Sequence, residues 1–313
     1  MVQINFRDLR YLVAVADHAH FGRAASACCV SQPTLSTQLK KLEQYLGVQL
    51  IERTNKQVML TPTGQSIADR SRRILNDVAD IVDTARAAGD PLAGDLRIGL
   101  IPTVGPYLLP HLVPALAVQQ PRLRPLLYEE QTALLLERLR RGDLDAAIMA
   151  VPVDDDGLNH ASLFREPFCL AMPADHPFAE RADVDLDDLE SEPILLLEEG
   201  HCLRDQALDV CSMVGAREEA AFRATSMETL RQMVAAGLGI TLLPALAAHA
   251  NPAGEASEAL ALRSFAERAP EREIAVYWRK GSAREPAIHA VAELIRQLEA
   301  VTRLSEPINA HQP

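Results

Sequence analysis

Residues 21–54 read FGRAASACCVSQPTLSTQLKKLEQYLGVQLIERT, and this stretch decides the fold of the N-terminal region. The alanine-rich run Phe21-Gly22-Arg23-Ala24-Ala25-Ser26-Ala27 suits a short, closely packed helix. Beyond it, Ser31 is placed to cap a second helix, Pro33 fits that helix's first turn, and Leu35, Leu39 and Leu42 fall at helical spacing. Two short helices joined by about four residues, the second polar on its outer face, make a helix-turn-helix. Gly47 ends the segment. Val48 to Leu50 and Val58 to Leu60 are then expected as the two short strands of a wing, with Arg53, Asn55 and Lys56 between them. Upstream, Leu9, Leu12, Val13 and Ala16 supply the apolar stripe of another helix.

The second helix would expose Gln32, Thr34, Ser36, Thr37, Lys40 and Lys41, starting from the corner formed by Ser31, Gln32 and Pro33. A glutamine can pair with an adenine edge, hydroxyls can read bases or hold phosphates, and the two lysines suit phosphates. Arg53 in the wing is placed to enter a minor groove or grip a phosphate. A polar helix face alone is usually just solvated. The turn geometry, the local charge and the helix that follows favour double-stranded DNA as the partner.

Residues 61–88 form one long helix candidate. Ile67, Ser71, Ile74, Val78, Ile81 and Ala85 recur as a heptad seam, which suggests pairing with the same helix of a second copy. The competing reading is an amphipathic helix lying on its own domain's core. Two copies paired this way would meet DNA with two-fold symmetry. The stretch from Ala87 to Asp95, with Gly89, Pro91 and Gly94, is dense in helix-ending residues and reads as a linker. Beyond it strand and helix alternate. Strands are expected at 96–100, 126–128, 144–150, 194–197, 240–243 and 274–278, and helices at 107–119, 134–141, 227–236 and 286–305. This α/β pattern is better divided into two lobes than one, with a ligand crevice at strand ends.

The 313 residues carry a formal charge of −12, which taken whole argues against a polyanion surface. The charge is unevenly placed: residues 1–90 hold 11 Lys and Arg against 9 Asp and Glu, and the rest hold 20 against 34. A mildly basic head and an acidic body are the pattern of a protein that meets DNA with one end. MVQINFRDLR lacks the apolar core of a signal peptide, and no apolar run approaches the roughly 20 residues that cross a bilayer. A cytoplasmic location without membrane contact is the expectation. Five cysteines, an odd number, make a structural disulfide framework improbable.

Two of those cysteines stand in EEGHCLRDQALDVC, residues 198–211. Cys202 and Cys211 are too far apart in sequence for a CxxC redox motif. On one unbroken helix their Cα atoms would be roughly 13 Å apart, whereas a disulfide needs about 7 Å or less. A bond between them requires the segment to refold; from spacing alone, two independent, partly buried cysteines are the simpler reading. A metal site is weaker still, because His201, Cys202 and Cys211 lack a dependable fourth ligand. No metal and no cofactor are expected. Cys28 and Cys29, in the helix-turn-helix, read as small core residues, and Cys169, inside Phe168-Cys169-Leu170-Ala171-Met172, as a strand-core residue.

Residues 6–64, above all the stretch quoted first followed by LTPTG, resemble the winged helix-turn-helix of the LysR-type transcriptional regulators. The similarity extends over nearly the whole chain. It implies an overall α/β protein in which residues 1–62 bind DNA, 63–90 form a linker and dimerisation helix, and 91–313 form a two-lobed effector domain resembling periplasmic binding proteins. Lobe I would comprise 91–165 with 267–313, and lobe II 166–266. GLIPTVGPYLLPHLVP at 99–114, the 198–211 segment and FRATSMETLRQMVAAGLGITLLPALA at 222–247 resemble the peroxide-sensing members in particular. That resemblance implies Cys202 as the peroxidatic sensor, Cys211 as its resolving partner, and a peroxide pocket of Thr103, Thr132, His201 and Arg272. It also implies a homodimer assembled as a tetramer, contact with RNA polymerase, activation or repression in response to oxidative stress, and a cellular thiol reductant. Two departures leave the pair untouched: Ala146 stands where a relative has an extra cysteine, and Cys28-Cys29 is doubled where it has one. Two other functions are possible. A small anionic metabolite held by Thr103 and Thr132 could replace the redox trigger, or the chain could be a thiol peroxidase. For the two threonines the local alternative is capping of helices near 106 and 133.

Overall fold

A computed structural model describes residues 4–53, 58–87, 90–190, 192–250, 259–266 and 269–304. The chain divides into two compact units, residues 1–89 with 141–143, and residues 90–140 with 144–313.

In the first unit α1 (Phe6–His18), α2 (Phe21–Ala27) and α3 (Gln32–Leu46) enclose Leu12, Val15, Ala24, Leu35, Leu39 and Leu42. Ser31 caps α3 as its position predicts, accepting from the Thr34 amide at 3.3 Å, with Pro33 in the first turn. Gly47, at φ 69°, ends α3 in the left-handed region that favours glycine. The wing pairs β1 (Ile51–Arg53) with β2 (Val58–Leu60). Its first strand starts at Ile51, not at Val48 as expected, because the preceding backbone is already committed. The Glu43 carboxylate accepts from the Leu50 and Ile51 amides at 2.9 and 3.1 Å, and the Thr61 hydroxyl donates to the Gln49 carbonyl at 2.8 Å. Asn55 and Lys56 lie outside the described residues, as does the side chain of Arg53.

The long helix is a single element, α4 (Pro62–Ala87). Thr61 opens it by accepting from the Gly64 amide at 2.9 Å. A Cβ at Gly64 would lie 2.0 Å from the Leu50 carbonyl oxygen, so only glycine allows the wing to approach this closely. Ala68, Ser71 and Arg72 are buried, and Arg72 pairs with Asp17 of α1 and with Asp69.

The second unit is α/β as expected. A seven-stranded sheet runs β4 (Leu123–Glu129), β3 (Gly94–Leu100), β5 (Ala146–Ala150), β11 (Glu271–Arg279), β6 (Leu158–Pro173) and β10 (Leu260–Ser264), with β9 (Thr241–Pro244) also on β6. β3 is parallel to β4 and β5, and β11 is antiparallel to β5 and β6. A parallel pair, β7 (Pro193–Leu197) with β8 (Arg217–Ala224), joins this sheet through a bridge from Ile194 to Ile240 beside β9. Around these strands lie α5 (Gly105–Gln119), α6 (Thr132–Arg141), α7 (Cys202–Val214), α8 (Met227–Ala235), α9 (Ala245–His249), α10 (Glu285–Gln297) and α11 (Glu299–Thr302).

β6 is the element that composition conceals. Its 158–167 portion pairs with β11, whereas Phe168 to Pro173 pair with β9 and β10. One strand thus carries the chain from the first sheet region into the second, and the boundary expected between 165 and 166 falls inside it. The expected 286–305 helix is also interrupted. Leu298 adopts φ −63°, ψ 134°, which turns Val301 and Leu304 into the core. Neither glycine nor proline marks that break.

Candidate functional site

On the first unit, Ser31, Gln32, Pro33, Thr34, Thr37, Lys40 and Lys41 are exposed, and Ser36 is partly so. Leu35, Leu39 and Leu42 face inward, so α3 offers a polar surface backed by a rigid apolar one. The Ser31 and Thr34 hydroxyls lie 2.8 Å apart and share a hydrogen bond. The cap thereby fixes the corner at which the surface begins.

The seam on α4 is divided. Ile67 is half-buried and packs against the unit's own core, and Ser71 is buried, donating to the Ile67 carbonyl at 2.7 Å. Ser71 therefore cannot face a partner helix, which corrects its place in the dimerisation seam. Ile74 and Ile81 are exposed, 44% and 67%, and Val78 is half-buried. The side chain of Ala85 lies outside the described residues.

In the second unit, Cys202 is the first residue of α7, with His201, buried, at the N-cap. The His201 side chain makes no cap hydrogen bond. Gly200, at φ 96°, lets the approaching chain pass so close to Gln131 that a Cβ would meet its side-chain oxygen at 2.7 Å. Burial pushes the Cys202 thiol up. The Arg272 guanidinium, the Thr132 hydroxyl and the Leu203 amide oppose that, and Asp205 adds to it. The Thr132 oxygen is itself buried and completes no well-formed hydrogen bond. Thr132 is the first residue of α6 rather than its cap, and α5 begins at Gly105 with Val104 at its N-cap. The capping alternative therefore fails for both threonines. Thr103 instead accepts a hydrogen bond from Arg272 Nη1 at 2.9 Å, while its carbonyl accepts from Nη2 at 3.1 Å. Arg272 from β11 and Thr132 from α6 thus act on the thiol, and Thr103, in the loop after β3, is held by Arg272.

Cys211 is buried near the other end of α7. Nine helical steps separate the two sulfurs' residues, roughly 13 Å along the axis, and both thiols are free. Among the described residues no three His, Cys, Asp or Glu side chains are grouped to hold a metal. His201 and Cys202 at one end of a helix and Cys211 at the other cannot share an ion. α7 is pinned by Arg204, which is buried. It grips both Glu218 oxygens at 2.9 Å and donates to the Leu197 carbonyl at 3.1 Å.

Comparison with known proteins adds to this geometry. Residues 6–65 match the lysR-family bacterial regulatory helix-turn-helix, and residues 89–300 match the LysR substrate binding domain. The chain belongs to the LysR family. It is accordingly a DNA-binding transcriptional regulator rather than a peroxidase. The DNA-binding transcriptional dual regulator OxyR of Escherichia coli K12 is 47% identical to this LysR-family chain over 293 residues, which is 94% of the chain and 95% of the relative. A full-length cysteine-to-aspartate variant of OxyR from Pseudomonas aeruginosa superposes with a TM-score of 0.79 at 39% identity, covering 96% of this chain and all of that one. A cysteine-to-serine variant of Corynebacterium glutamicum OxyR with hydrogen peroxide bound gives 0.66 at 35% identity, over 97% and 96% of the two chains.

Three residues of this LysR-family site escape sequence reading. Arg204 and Glu218, which hold α7, are brought together by β7–β8 pairing that no motif announces. Glu166 pairs with Arg272 at 2.8 Å, both side chains fully buried. Its only signal is an acid, next to Arg165, at the edge of the apolar run from Pro167 to Met172. Cys28 is half-buried, but Cys29 is exposed rather than in the core, because it takes a left-handed conformation in the helix-turn-helix turn, at φ 55°. Cys169 is buried, and its thiol is pushed up to about 12 by burial and by Glu166.

Proposed function

We propose that this regulator senses hydrogen peroxide through Cys202 and Cys211. The observation that carries the reading is the half-buried Cys202 thiol, on which the Thr132 hydroxyl and the Arg272 guanidinium both act to favour the thiolate. Thr103 and Thr132 orient the peroxide, Arg272 and His201 stabilise developing negative charge, and α7's N-terminus favours thiolate. The sulfur of Cys202 attacks one peroxide oxygen and the O–O bond breaks. One water leaves, and Cys202 becomes a sulfenic acid. Cys211 then attacks that sulfur, and its proton and the sulfenic hydroxyl depart as a second water. Two thiols and one peroxide thus give a disulfide and two waters. A cellular thiol reductant reverses the bond by exchange.

Because α7 holds the two cysteines apart, closing the bond requires α7 to unwind, and this changes the surface of the effector unit. In this reading residues 1–62 bind promoter DNA through α3 and the wing, including Ser31, Gln32, Pro33, Thr34, Ser36, Thr37, Lys40, Lys41 and Arg53. Residues 63–90 join two copies along Ile74, Val78, Ile81 and Ala85, residues 91–313 sense, and dimers associate into tetramers that contact RNA polymerase in the cytoplasm. No helix among the described residues is long and apolar enough to cross a membrane.

The test treats reduced protein with stoichiometric peroxide, then maps disulfides and footprints promoter DNA. A bond between Cys202 and Cys211 and an altered footprint are expected, and Cys202→Ser should lose both. A peroxide-dependent footprint that survives Cys202→Ser would overturn the proposal.

A further inference from the structure

Glu166 and Arg272 are Cα partners in the β6–β11 ladder, so their side chains share one face of the sheet. Arg272 Nε donates to Glu166 Oε1 at 2.8 Å, and the remaining guanidinium donors engage the Thr103 hydroxyl and carbonyl. The other Glu166 oxygen accepts from the Leu246 amide at 2.8 Å, in the first turn of α9. The acid is therefore held from two sides, and it in turn fixes the plane of the guanidinium. The plain reading of such a pair is structural, since buried ion pairs often contribute little net stability. Here, however, the cation is the one whose field reaches Cys202.

We propose that Glu166 is a positioning residue for the peroxide reaction. By gripping Arg272 it fixes the Thr103 hydroxyl and limits how much positive field reaches the Cys202 sulfur. The inference rests on the sensing role proposed for Cys202. The charged and titratable groups around that sulfur are Arg272 from β11, with Glu166 behind it on β6, and His201 and Asp205 on its own segment. Thr132 from α6 is uncharged. Glu166 acts through Arg272 or not at all.

The pH dependence of Cys202 oxidation by hydrogen peroxide, measured in full-length protein, tests this. Glu166→Gln removes the charge that offsets Arg272, so the profile should move toward acid by on the order of one pH unit. Arg272→Gln should move it toward alkali. The double variant should match Arg272→Gln alone, and it removes both buried charges, so it remains informative if Glu166→Gln does not fold. In that event an additional comparison decides: Glu166→Asp keeps the charge but shortens its reach, and it should slow oxidation several-fold with the midpoint unmoved. A folded Glu166→Gln with an unshifted profile overturns the proposal. So does a double variant distinguishable from Arg272→Gln, or a Glu166→Asp indistinguishable from the parent. If the parent Cys202 does not react with peroxide, the sensing role fails separately. The same profiles taken with iodoacetamide then still decide whether Glu166 governs the thiol.

Discussion

At the residue scale, Cys202 is shaped by opposed influences: burial keeps its proton on, while Arg272, Thr132 and the Leu203 amide favour the thiolate. Burial is the largest, so the resting thiol titrates above the ordinary range. Its oxidation by peroxide should therefore climb through neutral pH without levelling off below the range of a free thiol. Stopped-flow measurement between acid and alkaline pH checks this, and a plateau near neutrality would contradict it. Cys169 is the internal control. With its thiol pushed up to about 12, it should stay unlabelled by iodoacetamide at neutral pH while Cys29 reacts. Gly64 governs another property. A methyl group there would press on the Leu50 carbonyl, so Gly64→Ala should destabilise the first unit by about 1–3 kcal/mol. DNA affinity should fall with it, and a thermal melt of this unit against an unchanged effector transition would show the effect. The motif around Gly64 was legible as a family resemblance; the close approach that explains it was not, because Leu50 contacts it through the fold rather than along the chain.

At the scale of elements, α7 is the part whose behaviour would decide the response in the proposed disulfide switch. The sequence from 198 to 211 was legible only as compatible with a helix, with refolding as the consequence of a bond if both cysteines lay on one. What resists refolding was not legible, because Arg204 and Glu218 meet only after β8 has paired with β7. The Arg204 guanidinium holds the Glu218 carboxyl below its usual range. The anchor is thus intact above the ordinary carboxylate range and is lost as pH falls through the lowered value. Glu218→Gln should loosen α7 at neutral pH and speed closure of the disulfide several-fold after Cys202 is oxidised. Hydrogen exchange along 202–214 should rise in parallel, and unchanged exchange would count against the anchor. The strands were read less completely than the helices. β4 and β11 were found but shortened, and all but the Phe168–Met172 part of β6 went unrecognised. Long strands buried on one side carry charged residues such as Arg165 and Glu166 at positions where only cross-strand partners explain them.

For the whole molecule, the sign of the charge differs between its parts: the residues up to 90 are slightly basic and the remainder strongly acidic. One basic head of such modest charge should hold DNA weakly, so the pairing proposed along α4 should matter more than electrostatics. Ile74→Asp with Ile81→Asp should therefore lower promoter affinity by more than tenfold and shift sedimentation toward monomer. Peroxide reactivity of Cys202 should be retained, because that site lies wholly in the other unit. Loss of reactivity would show that sensing depends on assembly. The two-unit plan and the α/β class were legible from the change in pattern near the 87–95 linker. The inward turn of Ser71 was not, since a heptad written along a helix does not say which positions its own domain has already covered.

The placement of both cysteines on one intact helix also bears on how a signal ends. In the proposed switch, oxidation would dismantle backbone hydrogen bonds and the Arg204–Glu218 grip, and reduction would give them back. Once the sulfur–sulfur bond is cut, rewinding should then be spontaneous and need no second agent. The chain would then keep a record of peroxide only as long as the bond lasts: a memory whose eraser is built into the same thirteen residues that write it.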